Sequence, residues 1–409
     1  MNKRKRRVVV TGMGVVTAIG DDLNSFWDSL IKGKSGIGDI TLFDTSSYRT
    51  KNGAQIKKLK YDDIPYINND KNLSRADLFG IVSAKEAIKN SGLIEDVWNP
   101  FRFGISLGAG SGGIYSVEQY FKKIYQGEKE KAPISLLTGY SLCTTTDYIS
   151  KIYNIMGPRI TAATVCSSSL AAIGFGIDLI RNDLADIVIA GGSDSLCEVT
   201  YSGFNALRIV DPKGCKPFDK TREGISLGEG AGIIILEEYE HALSRNATIV
   251  AEMLGYAICA EAYHLTAPSP DGEGAKRVME LAMKDAKINP SSVDTINTHG
   301  TGTPLNDIAE SIGIKKALKE HAHHIPVCSI KGSIGHCLGS AGAIEAISLI
   351  LTLVNGIVPP TVGLKEPDPK CDLNFTIDKP KHGDFKIGIS NSFAFGGNNV
   401  SLIISRFDN

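Results

Sequence analysis

Two stretches of the chain carry the same structural units in the same order, and this repeat limits the folds that the chain can adopt. In each stretch a helical pattern precedes a strand that ends in a glycine turn, and a later strand leads into another helix. These units lie at 82–90, 103–110 and 161–181 in the first stretch, and at 275–287, 295–302 and 327–340 in the second. Short Val/Ile strands that alternate with amphipathic helices are typical of α/β folds. The repeated order therefore indicates a duplicated half-fold.

We accordingly expect two similar halves, over residues 1–250 and 251–409. In α/β folds the reactive residues lie where strand ends converge, so we expect a site between the halves. Residues 41–73 and 111–140 hold scattered charges and aromatic side chains. We interpret these stretches as cap or dimer-contact insertions rather than as separate domains.

Bulk composition excludes several classes of protein. The 44 lysines and arginines balance 45 acidic residues, which leaves a net charge of −1 and no global field that would favour nucleic acid. The eight cysteines include no Cys-x-x-Cys pair and no zinc-ligand spacing. The apolar residues 8–16 are broken by glycines and are interpreted as a strand and turn, and no run has the length of a membrane span. The sequence thus predicts a cytoplasmic protein that binds neither nucleic acid nor membrane.

An apolar, β-branched run ends abruptly at Cys166, and small residues and a helical pattern follow it to about Arg181. This arrangement predicts a tight strand-to-helix turn that places the sulfur near the N-terminus of a helix, where the dipole favours a thiolate. Because the thiolate is the nucleophilic form of cysteine, the turn suits covalent catalysis. A lone cysteine among small residues is more often a buried core residue.

Three further motifs favour the catalytic interpretation of the cysteine. His299 follows a strand in a glycine- and threonine-rich turn, and His336 follows Lys331 by five positions in a second glycine-rich segment. Residues 391–399 form a glycine loop that could present backbone N–H groups. Each motif alone is commonly structural, but their joint occurrence with Cys166 indicates a reactive site.

With these motifs the sequence resembles the β-ketoacyl-acyl-carrier-protein synthases, in particular the elongating ketosynthases of the thiolase superfamily. The resemblance runs from Arg7 to the C-terminal glycine loop. It implies the thiolase-like five-layered αβαβα fold, built from two similar halves with cap insertions and usually forming a homodimer. It also implies a catalytic set of Cys166, His299 and His336. Initiating synthases carry an asparagine in place of one histidine and thiolases use a second cysteine, so His336 argues against both.

The implied reaction is a decarboxylative Claisen condensation. An acyl chain moves onto Cys166, malonyl-carrier protein loses carbon dioxide, and the resulting enolate attacks the acyl-cysteine. By the family's pattern, the backbone N–H groups of Cys166 and Phe395 form the oxyanion hole, and the two neutral histidines stabilise the enolate. Lys331 acts electrostatically and Glu345 holds that network in place. The resemblance implies no metal and no free cofactor, because phosphopantetheine arrives on the acyl carrier protein.

The resemblance also implies binding positions and departures from the family's pattern. Thr301 and Thr303 match positions that hydrogen-bond the pantetheine amides. Ser111 stands where fatty-acid members often carry a bulky residue, which implies a roomier or more polar acyl pocket. Lys71 and Arg208 are candidates for docking the acidic carrier. A structural cation is sometimes held near positions that match Asn297, Glu345, Ser390 and Asn391.

The sequence leaves the pathway open. Housekeeping fatty-acid elongation by a homodimer and type II polyketide extension by a heterodimer with a chain-length-factor homologue share this one reaction. A hypothesis of a different class is a non-catalytic, chain-length-factor-like partner subunit. Such subunits typically replace the nucleophilic cysteine, whereas Cys166 is present here.

Overall fold

The computed structural model describes residues 6–59, 73–94 and 98–408, and within them ten strands join into one mixed sheet. These strands are β1 (Val8–Thr17), β2 (Phe103–Gly108), β3 (Arg159–Ala162), β4 (Ile187–Asp194), β5 (Gly230–Glu238), β6 (Ala251–Ala260), β7 (Thr295–Asn297), β8 (Val327–Cys328), β9 (Ile387–Phe393) and β10 (Asn398–Arg406). The α-helices are α1 (Leu23–Ile31), α2 (Arg75–Ser91), α3 (Ile114–Tyr125), α4 (Thr144–Ile152), α5 (Ser168–Arg181), α6 (Glu198–Ala206), α7 (Tyr239–Ser244), α8 (Glu273–Ala286), α9 (Pro304–Leu318), α10 (Lys331–Ile334) and α11 (Ala341–Asn355). Shorter strands form two small sheets, at Gly38–Asp39, Asn52–Ala54 and Leu227–Gly228, and at Ile357–Val358 and Lys381–His382.

The ten strands fall into two sets of five with the same topology. The N-terminal set has the order β3-β2-β4-β5-β1, and the C-terminal set has the order β8-β7-β9-β10-β6. In each set the first three strands of this order pair in parallel, and the remaining pairings are antiparallel. The last strands of the two orders, β1 and β6, join the sets, since Val9 pairs with Glu252 and Val10 with Ala251. The predicted duplication of the half-fold is confirmed by this topology, while the division of the chain at residue 250 stays a prediction.

Alternating strand side chains build the layers, because successive residues of a strand point to opposite faces of the sheet. Val188 of β4 and Ile404 of β10 belong to a central core with helices α5 and α11. Their neighbours face outward: Ile189 packs with α2 and α4, and Ile403 packs with α8 and α9. The layers therefore follow the order helices, N-terminal strand set, helices α5 and α11, C-terminal strand set, helices, as the resemblance implies.

Helix α11 is apolar on nearly every side, with Glu345 as its one charged residue, because it lies in the middle layer. The segment Leu338–Asn355 has the length and hydropathy of a membrane span, with a mean hydropathy of 1.6, yet 83% of it is buried inside the protein. Its composition thus reflects its place in the central core.

Strand β1 differs from the predicted strand and turn over residues 8–16. It continues to Thr17, with one irregularity in register between Val10 and Gly12. Its glycines face helix α2, where a Cβ on Gly12 would lie 2.2 Å from the Ala87 carbonyl oxygen. They therefore allow close packing of a helix on the strand, and they do not form a turn.

The predicted insertions are only partly described. Residues 111–140 contain helix α3 and short 3₁₀ turns. In the other insertion, Asn52–Ala54 pairs with Gly38–Asp39 and with Leu227–Gly228. Lys71, the predicted docking cation, lies outside the described residues. Whether either insertion contacts a second subunit stays a prediction.

Candidate active site

Cys166 lies in a single 3₁₀ turn, Val165–Ser167, immediately before helix α5. Val165 has a φ of +58°, a left-handed conformation that is rare for a β-branched residue. The Ser168 hydroxyl holds the turn by donating to the Val165 carbonyl at 2.7 Å and accepting from the Thr164 N–H at 2.9 Å. A Cβ on Gly108 of β2 would lie 2.2 Å from the Ser168 carbonyl carbon, so that glycine lets the start of α5 pass close to the strand. These contacts confirm the predicted turn into a helix at the cysteine.

The expected thiolate at Cys166 is wrong for the resting site. The residue is only 4% exposed, and burial raises the pKa of its thiol to about 11. The Lys331 ammonium and a hydrogen bond from the Phe395 N–H lower the pKa and offset this effect only in part. Removal of water outweighs both of these lowering effects, because burial disfavours the charged form of a thiol. The resting nucleophile is therefore a thiol that must lose its proton during acyl transfer.

This protonation state predicts how alkylation of Cys166 depends on pH. With its pKa raised to about 11, we expect the iodoacetamide reaction to become about tenfold faster per pH unit between pH 7 and 9, because the thiolate fraction grows at that rate below the pKa. Peptide mass spectrometry would separate Cys166 from the partly exposed Cys143 and Cys259. A rate that reaches a plateau below pH 8 would mean that the thiol has a depressed pKa.

His299 follows strand β7, and a buried carboxylate fixes its backbone. The N–H groups of His299 and Gly300 each donate to the Glu310 carboxylate at 2.8 Å. Glu310 lies on helix α9, and burial raises its pKa to about 7. No motif in the sequence points to Glu310, because it precedes no turn and matches no catalytic spacing.

His336 lies between helices α10 and α11, with its ring 5.4 Å from that of His299 in an edge-on arrangement. The Leu338 N–H donates to Nδ1 of His336 at 3.1 Å, and the Lys331 ammonium lies 3.3 Å from Nδ1 of His299. Burial and the nearby ammonium hold the pKa of both imidazoles well below the ordinary value. Each ring is therefore neutral, and since its Nδ1 accepts, its proton is on Nε2. The site holds two uncharged N–H donors.

Lys331 and Glu345 form a fully buried ion pair beside His299. The Lys331 ammonium contacts the Glu345 carboxylate and also donates to the His299 carbonyl at 2.5 Å. Burial raises the pKa of Glu345, and the ammonium opposes that rise. Removing one partner would leave an uncompensated buried charge, which is strongly destabilising. The pair thus holds a positive charge beside Nδ1 of His299.

A cavity of about 370 Å³ contains the reactive groups. Its lining includes Cys166, His299, His336, Thr301, Thr303, Phe395 and the exposed Arg208. The hydroxyls of Thr301 and Thr303 lie 2.9 Å apart, and the Phe395 ring stacks on Phe204 with 5.8 Å between centroids. The structure therefore places the predicted nucleophile, both histidines and the predicted pantetheine contacts in one cavity.

Ser111 is not among the residues that line this cavity. Its side chain is 7% exposed, and its hydroxyl donates to the Ser195 carbonyl at 3.1 Å and lies 3.3 Å from the Asp194 carboxylate. The hydroxyl is thus bonded within the protein. Its expected effect on the acyl pocket stays a prediction.

The residues suggested for a structural cation present unpartnered oxygens. Buried Asn297 Oδ1, Glu345 Oε2 and Ser390 Oγ have no hydrogen-bond partner, and Asn297 pairs with Ser390 across β7 and β9. Oxygen donors suit hard cations, so these three residues fit such an ion. Asn391 instead accepts a hydrogen bond from Ser401. Occupation by a cation stays a prediction.

Comparison with known proteins identifies the family. Residues 5–242 match the family described as "Beta-ketoacyl synthase, N-terminal domain", and residues 250–365 match "Beta-ketoacyl synthase, C-terminal domain". The chain is 37% identical to a 3-oxoacyl-[acyl-carrier-protein] synthase 2 of Synechocystis sp., with 99% of each chain covered. It is 35% identical to Nodulation protein E of Rhizobium meliloti, covering 98% of this chain and 99% of that protein.

Solved structures are similar over the same extent. The ishigamide ketosynthase/chain length factor has a TM-score of 0.93 and 31% identity, with 99% of this chain and 100% of that chain covered. A type II polyketide synthase acyl-carrier protein in complex with its ketosynthase bound to the hexaketide gives a TM-score of 0.92 and 31% identity, with the same coverage. Because these matches span both halves of the fold and nearly the whole chain, the protein belongs to the β-ketoacyl synthase family.

Proposed function

We propose that the protein is an elongating β-ketoacyl-acyl-carrier-protein synthase. It condenses malonyl-carrier protein with an acyl chain held on Cys166 and yields a β-ketoacyl-carrier protein two carbons longer. The observation that carries this proposal is the pair of neutral histidines, each with its proton on Nε2, in the cavity that contains the Cys166 sulfur. Relatives named 3-oxoacyl-[acyl-carrier-protein] synthase 2 support it.

Acyl transfer comes first. The Cys166 sulfur forms a bond to the acyl carbon, the thioester bond to the carrier's pantetheine breaks, and the cysteine proton leaves with the pantetheine sulfur. The Phe395 N–H contacts the Cys166 sulfur in the resting site, so it is close enough to donate to the developing oxyanion together with the Cys166 N–H. In enzymes where one such donor has been removed, the loss is roughly 3 kcal/mol of transition-state stabilisation.

Decarboxylation and condensation follow. The malonyl thioester oxygen accepts hydrogen bonds from Nε2 of His299 and His336, and the bond to its carboxylate breaks with release of carbon dioxide. The electron pair passes into an enolate, whose carbon attacks the acyl-cysteine and expels the Cys166 sulfur. That sulfur then takes up a proton. Neutral imidazoles suit this step because they donate hydrogen bonds without being protonated beforehand.

We expect Thr301 and Thr303 to bind the pantetheine arm, and their position in the lining of the cavity that contains His299 supports this. We expect Thr301→Val to raise KM for malonyl-carrier protein roughly three- to tenfold, because one neutral hydrogen bond contributes about 0.5–1.5 kcal/mol. The turnover number should change little, since the reacting atoms keep their contacts. Steady-state kinetics with malonyl-carrier protein would test this, and an unchanged KM would remove Thr301 from the binding surface.

No free cofactor enters this scheme, because the carrier brings the phosphopantetheine. The non-catalytic alternative is not favoured, since the nucleophile and both histidines lie in one cavity. Arg208, which is exposed and lines the same cavity, is a candidate contact for the acidic carrier. Among the described residues, β3 is the outermost strand of the N-terminal set, and a strand edge without a partner favours pairing with another chain. A second copy and a chain-length-factor homologue are the two candidate partners.

Product analysis with acyl- and malonyl-loaded carrier protein would test the proposal and separate the pathways. Single two-carbon extensions by the chain alone would support a fatty-acid synthase homodimer. Extension only after a cysteine-less homologue is added, followed by repeated unreduced extension, would support a polyketide ketosynthase subunit. No extension under either condition would contradict the proposed function.

A further inference from the structure

Asp194, the last residue of β4, has a fully buried carboxylate that the reaction scheme does not use. It accepts four backbone hydrogen bonds from two separate loops, from Gly110 at 2.8 Å, Ser111 at 2.8 Å, Gly112 at 2.6 Å and Gly339 at 2.6 Å. Burial raises its pKa to about 6, against the lowering effect of these donors. One carboxylate thus joins the loop after β2 to the loop that follows His336.

The loop after His336 depends on this anchor. Leu338, whose N–H fixes Nδ1 of His336, has a φ of +51°, and left-handed backbone at a leucine persists only where the surroundings hold it. The next residue, Gly339, is the one bound by Asp194. A Cβ on Gly339 would lie 2.4 Å from the Gly110 nitrogen, so the two loops are in direct contact.

We propose that Asp194 is a positioning residue for decarboxylation: by holding Gly339 it keeps the Leu338 N–H on His336 and so directs Nε2 of that histidine toward the malonyl thioester oxygen. This inference rests on the proposed function, since it concerns one of its two half-reactions. Asp194 is not among the residues that line the cavity, so its effect on decarboxylation passes through His336.

The two half-reactions respond differently to the loss of Asp194. Its negative charge raises the pKa of the Cys166 thiol, so removing the charge favours the thiolate. The same change loosens the loop that holds His336. A residue needed only for folding would instead reduce both half-reactions together.

The test is Asp194→Asn in the full-length protein. Its amide nitrogen presents N–H groups to a site lined with N–H donors, so some of the four hydrogen bonds are lost. We expect carbon dioxide release from malonyl-carrier protein to fall about tenfold or more, by analogy with the loss when a group that orients a metal-bound histidine is changed. Alkylation of Cys166 by iodoacetamide at pH 8 should be unchanged or faster. Ser193→Ala is the matched control, because the Ser193 hydroxyl on the same strand bonds the Ala76 carbonyl and neither loop.

Gly339→Ala provides a second variant if Asp194→Asn does not fold. It keeps the negative charge of Asp194, and its added methyl group forces the loop after His336 away from the loop that contains Gly110. This variant should lose decarboxylation, and alkylation of its Cys166 should not become faster. Thermal denaturation would establish that each variant is folded. Unchanged decarboxylation in folded Asp194→Asn, or an equal loss of decarboxylation and of Cys166 alkylation, would overturn the inference. Failure of the unmodified protein to decarboxylate malonyl-carrier protein would instead overturn the proposed function.

Discussion

Replacing Cys166 by alanine should abolish condensation, with a loss of about 10⁴-fold or more in kcat/KM, because the acyl chain then has no sulfur on which to form the intermediate. Malonyl decarboxylation should persist in this variant, since His299, His336 and their partners are unchanged. Condensation is measured as β-ketoacyl-carrier product, and decarboxylation as carbon dioxide release.

Cys143→Ala is the matched control for this experiment. Cys143 is a more exposed thiol than Cys166, and its sulfur contacts Ser141 and Asp147. The Cys143→Ala variant should keep full condensation activity. Condensation that survives in Cys166→Ala, or disappears in Cys143→Ala, would refute the assigned nucleophile.

Replacing His336 by alanine should have the opposite effect on the two half-reactions, with decarboxylation lost and acylation of Cys166 kept. Decarboxylation should fall by roughly 10²–10³-fold, which is the usual effect of removing one donor to a developing oxyanion. Acylation of Cys166 should largely persist, because the Phe395 N–H and the Lys331 ammonium that act on the sulfur remain. Mass spectrometry of the acylated protein and carbon dioxide release would follow the two steps independently.

His336→Asn serves as the conservative counterpart, because an amide N–H can donate a hydrogen bond although its reach is shorter. We expect it to recover part of the decarboxylation that His336→Ala loses. An alanine variant that fails to acylate Cys166 would show that His336 acts in acyl transfer instead.

The duplicated fold could be predicted from the sequence because the signals are local. Strand runs, glycine turns and helical periodicity each extend over a few residues, and their order repeats along the chain. The sequence also allowed the prediction that Cys166, His299 and His336 lie close together. All three come after strands, and the ends of such strands converge between the halves. The role of the glycines in β1 could not be predicted from the sequence, because they pack on helix α2, which lies more than 50 residues further along the chain.

The protonation of Cys166 was predicted wrongly because burial is a tertiary property. The helix N-terminus is visible in the sequence near residue 168, whereas the dry surroundings are not. Asp194 was missed for a related reason, since it binds backbone N–H groups of two loops that are distant in the sequence. Glu310 binds the turn just before its own helix, and nothing in the sequence shows that its carboxylate is buried there. For Asp194 a signal existed: an acidic residue ends an otherwise apolar and small-residue strand, Ile187–Asp194. Such a charge is rarely buried unless it has partners.

Intact-protein mass spectrometry of the unmodified chain tests the central claim most directly. The protein is mixed first with acyl-carrier protein alone and then with malonyl-carrier protein. We predict a mass increase of one acyl group, mapped to the peptide that contains Cys166, which disappears when malonyl-carrier protein is added and β-ketoacyl-carrier protein appears. An acyl group on another residue, or one on Cys166 that malonyl-carrier protein does not discharge, would contradict the proposed mechanism.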